Sequence, residues 1–140
     1  GLILVLGSFF VAMYCRIRKQ LSSKTVIGFF HPYCNDGGGG ERVLWEMIAA
    51  IQESTYNSKL DICVYTGDVG ASKDAILAKA LSRFSIRVAP ENVTMVYLRS
   101  RWLVQKETWP VATIIGQSIG GALLGLEAII RRPPHIFIDT

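Results

Sequence analysis

Four consecutive glycines, Gly37 to Gly40, constrain this chain more than any other stretch. Glycine inside a strand or helix loses the most conformational freedom on folding and packs nothing, so a run of this length belongs in a turn. Residues 25–30, TVIGFF, precede it as a short apolar run of strand length, followed by His31, Pro32, Tyr33, Cys34, Asn35 and Asp36. Residues 41–52, ERVLWEMIAAIQ, follow it directly. There Val43, Leu44, Met47, Ile48 and Ile51 recur at helical spacing, and Glu41 stands in the first turn, where the helix dipole favours an acid. The glycines therefore join a strand to a helix N-terminus. Amides placed so can approach a ligand unobstructed, and the unpaired first-turn N–H groups suit a phosphate or an acceptor hydroxyl. The competing reading is a plain flexible turn.

The remainder alternates in the same manner. Residues 61–66, DICVYT, form a second strand candidate closed by Gly67, and 72–84 read as a helix with Ser72 as its cap. Residues 93–98, VTMVYL, predict a third strand; 109–130 form a long apolar segment with Glu127 as its one acid; 135–139, HIFID, close the pattern as a strand. Strands alternating with helices, most of them apolar on both faces, predict an α/β fold with a Rossmann-like parallel sheet covered on two sides. Ligands of such sheets bind beyond the carboxyl ends of the strands, where the glycine turn sits.

Other candidates gather near that edge. His31, at the exit of the first strand, has the chemistry to bond a sugar or phosphate, and Asp139, at the end of the last, to meet a sugar hydroxyl; each has an ordinary structural role as its alternative, a loop histidine and a helix-capping aspartate. Arg42, Arg99, Arg101 and Lys106 are candidates for phosphate or lipid headgroup contact, with solvated surface as the ordinary alternative, and Arg42, next to the glycines, is the one favoured. No GK[ST] follows the glycines, which excludes a Walker A loop, and a dinucleotide fingerprint is matched only by Gly37 and Gly39, the third position being Arg42. Cys15, Cys34 and Cys63 are odd in number and lack any Cys/His ligand spacing, so neither a disulfide framework nor a zinc site is expected, and a reducing cytosol suits them.

The chain has 140 residues, 50% of them hydrophobic, a mean hydropathy of +0.32 and a formal charge of +4. Such a charge favours anions, whether phosphates, lipid headgroups or nucleic acid, without choosing among them. Residues 1–15, GLILVLGSFFVAMYC, carry no charge and run into Arg16, Arg18, Lys19 and Lys24. This predicts a transmembrane anchor with a basic flank over 1–20, in preference to a signal-peptide core or a buried helix, with a globular domain over 24–140 and a cytosolic location for everything after Arg16. Starting at Gly1 and stopping on a strand, the sequence reads as part of a longer chain. Residues 109–130 are long enough to span a bilayer. Their interruption by Gln117, Ser118 and Glu127 predicts instead a helix packed on the sheet, with one side at the membrane and Trp102, Trp109, Arg131 and Arg132 at headgroup level, a wholly buried helix being the alternative. Asn92-Val93-Thr94 is a glycosylation sequon that a cytosolic domain would leave unmodified.

The stretch GFFHPYCNDGGGGERVLWEMIAAIQ resembles the GDP-mannose-dependent alpha-1,2-mannosyltransferases of dolichol-linked oligosaccharide assembly. DICVYTGD, GQSIGGALLGLEAI and PHIFIDT resemble the same family in the same order, so the likeness covers nearly all of the chain after Lys24. The resemblance implies the N-terminal, acceptor-side half of a GT-B glycosyltransferase, two Rossmann-like domains facing across a cleft. It implies retaining transfer from GDP-mannose to Man3GlcNAc2-diphosphodolichol, adding two mannoses in succession, with no cofactor or required metal. The endoplasmic reticulum membrane and other mannosyltransferases of the pathway would be its partners, and nucleic acid would not. Catalytic glutamates and nucleotide contacts would lie in a C-terminal domain, leaving this segment inactive alone, while Gly37, Gly38, Gly39 and Gly40 would approach the donor diphosphate. On the residues alone two other classes stay open, a nucleotide-dependent oxidoreductase domain and a non-catalytic membrane adaptor.

Overall fold

The structure is a computed structural model describing residues 12, 13, 16, 24–54, 60–111 and 113–140. Strands β1 (Thr25–Phe30), β2 (Leu60–Thr66), β3 (Val93–Tyr97) and β4 (Ile136–Asp139) form one sheet in the order β3-β2-β1-β4, with every pair parallel. Helix α1 (Gly39–Glu53) joins β1 to β2 and α2 (Lys73–Phe84) joins β2 to β3. Two short 3-10 turns, Arg101–Val104 and Lys106–Thr108, then lead into α3 (Thr113–Arg131), which carries the chain back to the far side of β1. The order of strand addition thus reverses at β1, with β4 added on the side opposite β2, and this is the switch point at which α/β sheets leave a crevice.

The apolar strands are explained by burial on both faces. Successive side chains of a strand point to opposite faces. Ile27 and Phe29 of β1, with Ile62 and Val64 of β2, join the core beneath α1 and α2, whereas Val26, Phe30, Cys63 and Tyr65 join a second core with Leu124 and Ala128 of α3. Reversing the direction of strand addition moves the connecting helix to the other face, because parallel crossovers keep one hand. The two-sided burial expected of the strands fails at β4, an edge strand where Ile136 and Phe137 stay exposed. Gly28 of β1 marks a close approach, since a Cβ there would lie 2.6 Å from the Tyr65 ring.

Element boundaries moved modestly. Helix α1 begins at Gly39 rather than residue 41, so two of the glycines are helical. Ser72 caps α2 as expected, its hydroxyl accepting from the Ala75 amide at 3.2 Å. Helix α3 opens at Thr113, because the chain before it is wound into the 3-10 turns. Its buried residues Gly116, Gly120, Leu124 and Ala128 recur at i+4, forming one narrow face. The first half of that face meets the 3-10 turn and Trp109: a Cβ on Gly120 would lie 2.0 Å from the Leu103 carbonyl oxygen, and one on Gly116 2.3 Å from the Trp109 ring. The second half enters the sheet core. Ile114, Ile115, Ile119, Leu123 and Leu126 remain exposed. The expected anchor over 1–20 lies outside the described residues except for Ala12, Met13 and Arg16, which are helical; the Arg16 guanidinium donates to the Ile130 carbonyl at 3.4 Å.

Candidate functional site at the carboxyl edge of the sheet

The loop from His31 to Gly38 leaves the carboxyl end of β1 and is laced to its neighbours. His31 N donates to Tyr65 O at 3.0 Å and Gly67 N to Pro32 O at 2.9 Å, which ties the exits of β1 and β2 together. The Cys34 thiol, buried, donates to the Thr66 hydroxyl at 3.0 Å. Burial pushes the Cys34 thiol up to about 12 and that of Cys63 up to about 11, so both remain protonated and unreactive at neutral pH.

Gly37 adopts φ +87, a region that side chains rarely enter, and a Cβ there would also lie 2.6 Å from the Arg83 side chain. Gly40 is confined by His31, whose Cε1 would sit 3.2 Å from an added Cβ. Gly38 and Gly39 are different: Gly38 has an ordinary φ of −87, and at both positions an added Cβ meets nothing within 4 Å. Neither backbone conformation nor packing therefore explains the absence of a side chain at these two positions. Gly38 is the N-cap of α1 with no side-chain capping bond, and the first amide drawn into the helical ladder is that of Arg42, to Gly38 O at 3.4 Å. The start of α1 thus presents an uncapped, positively polarised end to open space.

Of the other sequence candidates, His31 is brought to this loop and Arg42 and Asp139 are not. The His31 Nδ1 lies 2.8 Å from the Thr140 carbonyl oxygen. Because a carbonyl only accepts, this bond places the proton on Nδ1, and in the neutral ring leaves Nε2 as the acceptor. The contact bridges β1 and β4 across the switch point. Arg42 is exposed and pairs with Glu46 one turn along α1, Nε to Oε1 3.7 Å, directed along the helix. Asp139 does close β4 at the carboxyl edge, but it lines a cavity of about 500 Å³ between β4 and α3, with Phe30, Phe137, Gly121 and Gly125. Among the described residues no cluster of three His, Cys, Asp or Glu is arranged to hold a metal.

Three features of the site escaped the sequence reading. Glu41 is buried, 3% exposed, and its Oε1 accepts from the amides of Asp36 at 2.5 Å and Gly37 at 2.6 Å. Lys79 and Arg83, one turn apart on α2, donate to the carbonyls of Asn35 and Gly37, the latter at 2.8 Å. Arg101 is no solvated charge: it forms an ion pair with Asp68, and its guanidinium carbon lies 4.2 Å from the centroid of the Tyr33 ring. Gly67 makes room for it, since a Cβ there would lie 2.3 Å from the Arg101 side chain. The available signal for Glu41 was an acid three residues after a position without a capping side chain. Beside the loop, Tyr33, Asp36, Val104, Gln105, Lys106, Glu107 and Gln117 border a cavity of about 510 Å³.

These features define the class, a Rossmann-like α/β unit whose first turn offers uncapped amides at the carboxyl edge of a parallel sheet. More narrowly, residues 24–140 match the family described as ALG11 mannosyltransferase N-terminus, and the chain belongs to it. It is 42% identical over 98% of its length to a mouse protein, 45% over 87% to a human protein, and 46% over 82% to one from Neurospora crassa. Each carries the name GDP-Man:Man(3)GlcNAc(2)-PP-Dol alpha-1,2-mannosyltransferase. The chain spans only 29%, 24% and 20% of those proteins' respective lengths. No solved structure gives a significant match.

Proposed function

We propose that this segment is the acceptor-side half of a GT-B alpha-1,2-mannosyltransferase, moving mannose from GDP-mannose to a dolichol-diphosphate oligosaccharide at the cytosolic face of the endoplasmic reticulum. The observation that carries the reading is the open space in front of Gly38 and Gly39, where no packing demand accounts for two missing side chains. A diphosphate-linked sugar held between this domain and a second one would fill that space. The amides of the loop and the dipole of α1 would stabilise charge developing on the leaving diphosphate. The donor supplies the reacting group, and no further cofactor enters the reading.

The membrane side rests on α3. Its 19 residues are long and apolar enough to cross a bilayer, yet Gly116, Gly120, Leu124 and Ala128 are buried in the domain. Ile114, Ile115 and Ile119 project outward on the same helix. This favours a helix lying at the lipid surface over one that spans it, and such a surface keeps the enzyme beside a lipid-tethered acceptor. The anchor over 1–20 sets the orientation. Asn92 stays unmodified if the domain faces the cytosol, and a glycan on it in the native protein would refute that orientation.

A dinucleotide oxidoreductase would need an available acid at the end of β2 for the ribose. Asp68, which stands there, has a side chain only 10% exposed and already paired with Arg101. The complete enzyme, assayed with GDP-mannose and a lipid-linked trimannosyl acceptor, should extend the acceptor by alpha-1,2-linked mannose. Failure to extend it, or better use of UDP-sugars, would overturn the reading.

A further inference from the structure

We propose that Glu41 is a positioning residue for donor binding: it holds the segment before the glycines so that the amides of Gly38 to Gly40 stay open to the diphosphate. The inference rests on the mannosyltransferase reading above. Counting from the N-cap Gly38, Glu41 is the third residue of α1. In a capping box an acid at this position reaches back to the N-cap amide, while a Ser or Thr at the N-cap bonds the third amide in return. Both halves are altered here. Gly38 has no side chain to give, and the Glu41 carboxylate passes over the N-cap to take the amides of Asp36 and Gly37.

Ordinary capping would have closed the helix end; this arrangement consumes two amides ahead of it and leaves the helix end uncapped. Burying a carboxylate is costly, and two short charge-assisted bonds offset that cost. The opposite side of the same segment is gripped by Lys79 on the Asn35 carbonyl and by Arg83 on the Gly37 carbonyl. Three charged side chains from two helices thus fix a stretch that includes Gly37 at φ +87. Preorganised amides stabilise a developing charge without reorganising at the moment of reaction, which is why such a clamp bears on the reaction as well as on folding.

The test uses the complete enzyme as Glu41→Ala, Glu41→Gln and Arg83→Ala, the last at an exposed position. Glu41→Ala should raise the donor KM at least about tenfold with the acceptor KM within about twofold, Glu41→Gln should recover most of the loss through its amide oxygen, and Arg83→Ala should shift the donor KM in the same direction by less. A folded Glu41→Ala enzyme with unchanged donor KM, equal losses toward donor and acceptor, or a Glu41→Gln enzyme as impaired as Glu41→Ala would overturn the proposal. Hydrogen exchange separates this from the broader reading. The Asp36 and Gly37 amides should be protected in the wild type and Glu41→Gln and should exchange freely in Glu41→Ala. Equal exchange in all three overturns the clamp, whereas a wild type that transfers no mannose while showing this pattern overturns only the assignment of the reaction.

Discussion

The carboxylate of Glu127, on α3, accepts the backbone amide of Arg99, just past the end of β3, at 2.9 Å. The same group takes the Ser100 amide at 3.0 Å and the Arg131 guanidinium at 2.7 Å. Partial burial alone would raise its pKa, but the Arg99 and Ser100 hydrogen bonds and the Arg131 contact outweigh it and hold the carboxyl below its ordinary value. The acid that interrupts the apolar helix thus fastens it to the domain.

A depressed folded pKa means that the ionised form stabilises the fold above the unfolded-state value, and that this contribution is lost as pH falls through the lowered one. Glu127→Gln should therefore cost about 1–2 kcal/mol at pH 7, with the deficit shrinking as pH falls below the ordinary carboxylate range and closing only below the lowered folded-state value. Thermal unfolding of both proteins against pH is the check. A deficit independent of pH would assign the effect to packing.

The glycines of α3 should separate into two kinds. Gly120→Ala forces a Cβ against the Leu103 carbonyl oxygen, a backbone atom, and should cost about 2 kcal/mol or more as α3 lifts from the 3-10 turn. Gly121→Ala meets nothing within 4 Å in this domain and should be neutral or stabilising by up to about 1 kcal/mol through helix propensity. Comparing the unfolding midpoints of the two variants decides it.

Much of the scaffold was legible in the sequence because two periodicities carry it. Residues 25–30 are β1 as expected, and the apolar runs of β1 and β2 were sound evidence of helices on both faces. β4 was legible as a strand but not as an exposed edge, since burial there depends on what packs beside it. At the site, the glycine turn was found at the right edge of the sheet. What distinguishes Gly37 and Gly40 from Gly38 and Gly39 was hidden, because a backbone angle and the positions of Arg83 and His31 decide it. Arg42 was an expectation from proximity in sequence; helical geometry turns it toward Glu46 instead. Arg101 read as surface because its partners, Asp68 and Tyr33, come from two other loops.

The outward face of α3 should act at a lipid surface. Replacing Ile115 and Ile119 together by Ser should weaken binding of the domain to phospholipid vesicles by roughly tenfold, the loss of about 1–2 kcal/mol of apolar burial. The unfolding midpoint should change little, since both residues are exposed. Co-sedimentation with vesicles reads the affinity, and undiminished binding would assign that face to protein contacts.

The most direct measurement of the central claim is mannose transfer by the complete enzyme carrying Gly38→Val and Gly39→Val. An added Cβ at either position meets nothing in the domain, so folding should survive while the approach of a diphosphate is blocked. The account predicts a folded, membrane-attached enzyme whose kcat/KM for GDP-mannose falls by about two orders of magnitude or more, a loss of roughly 3 kcal/mol of transition-state stabilisation. A folded double variant that transfers mannose at the wild-type rate would contradict it.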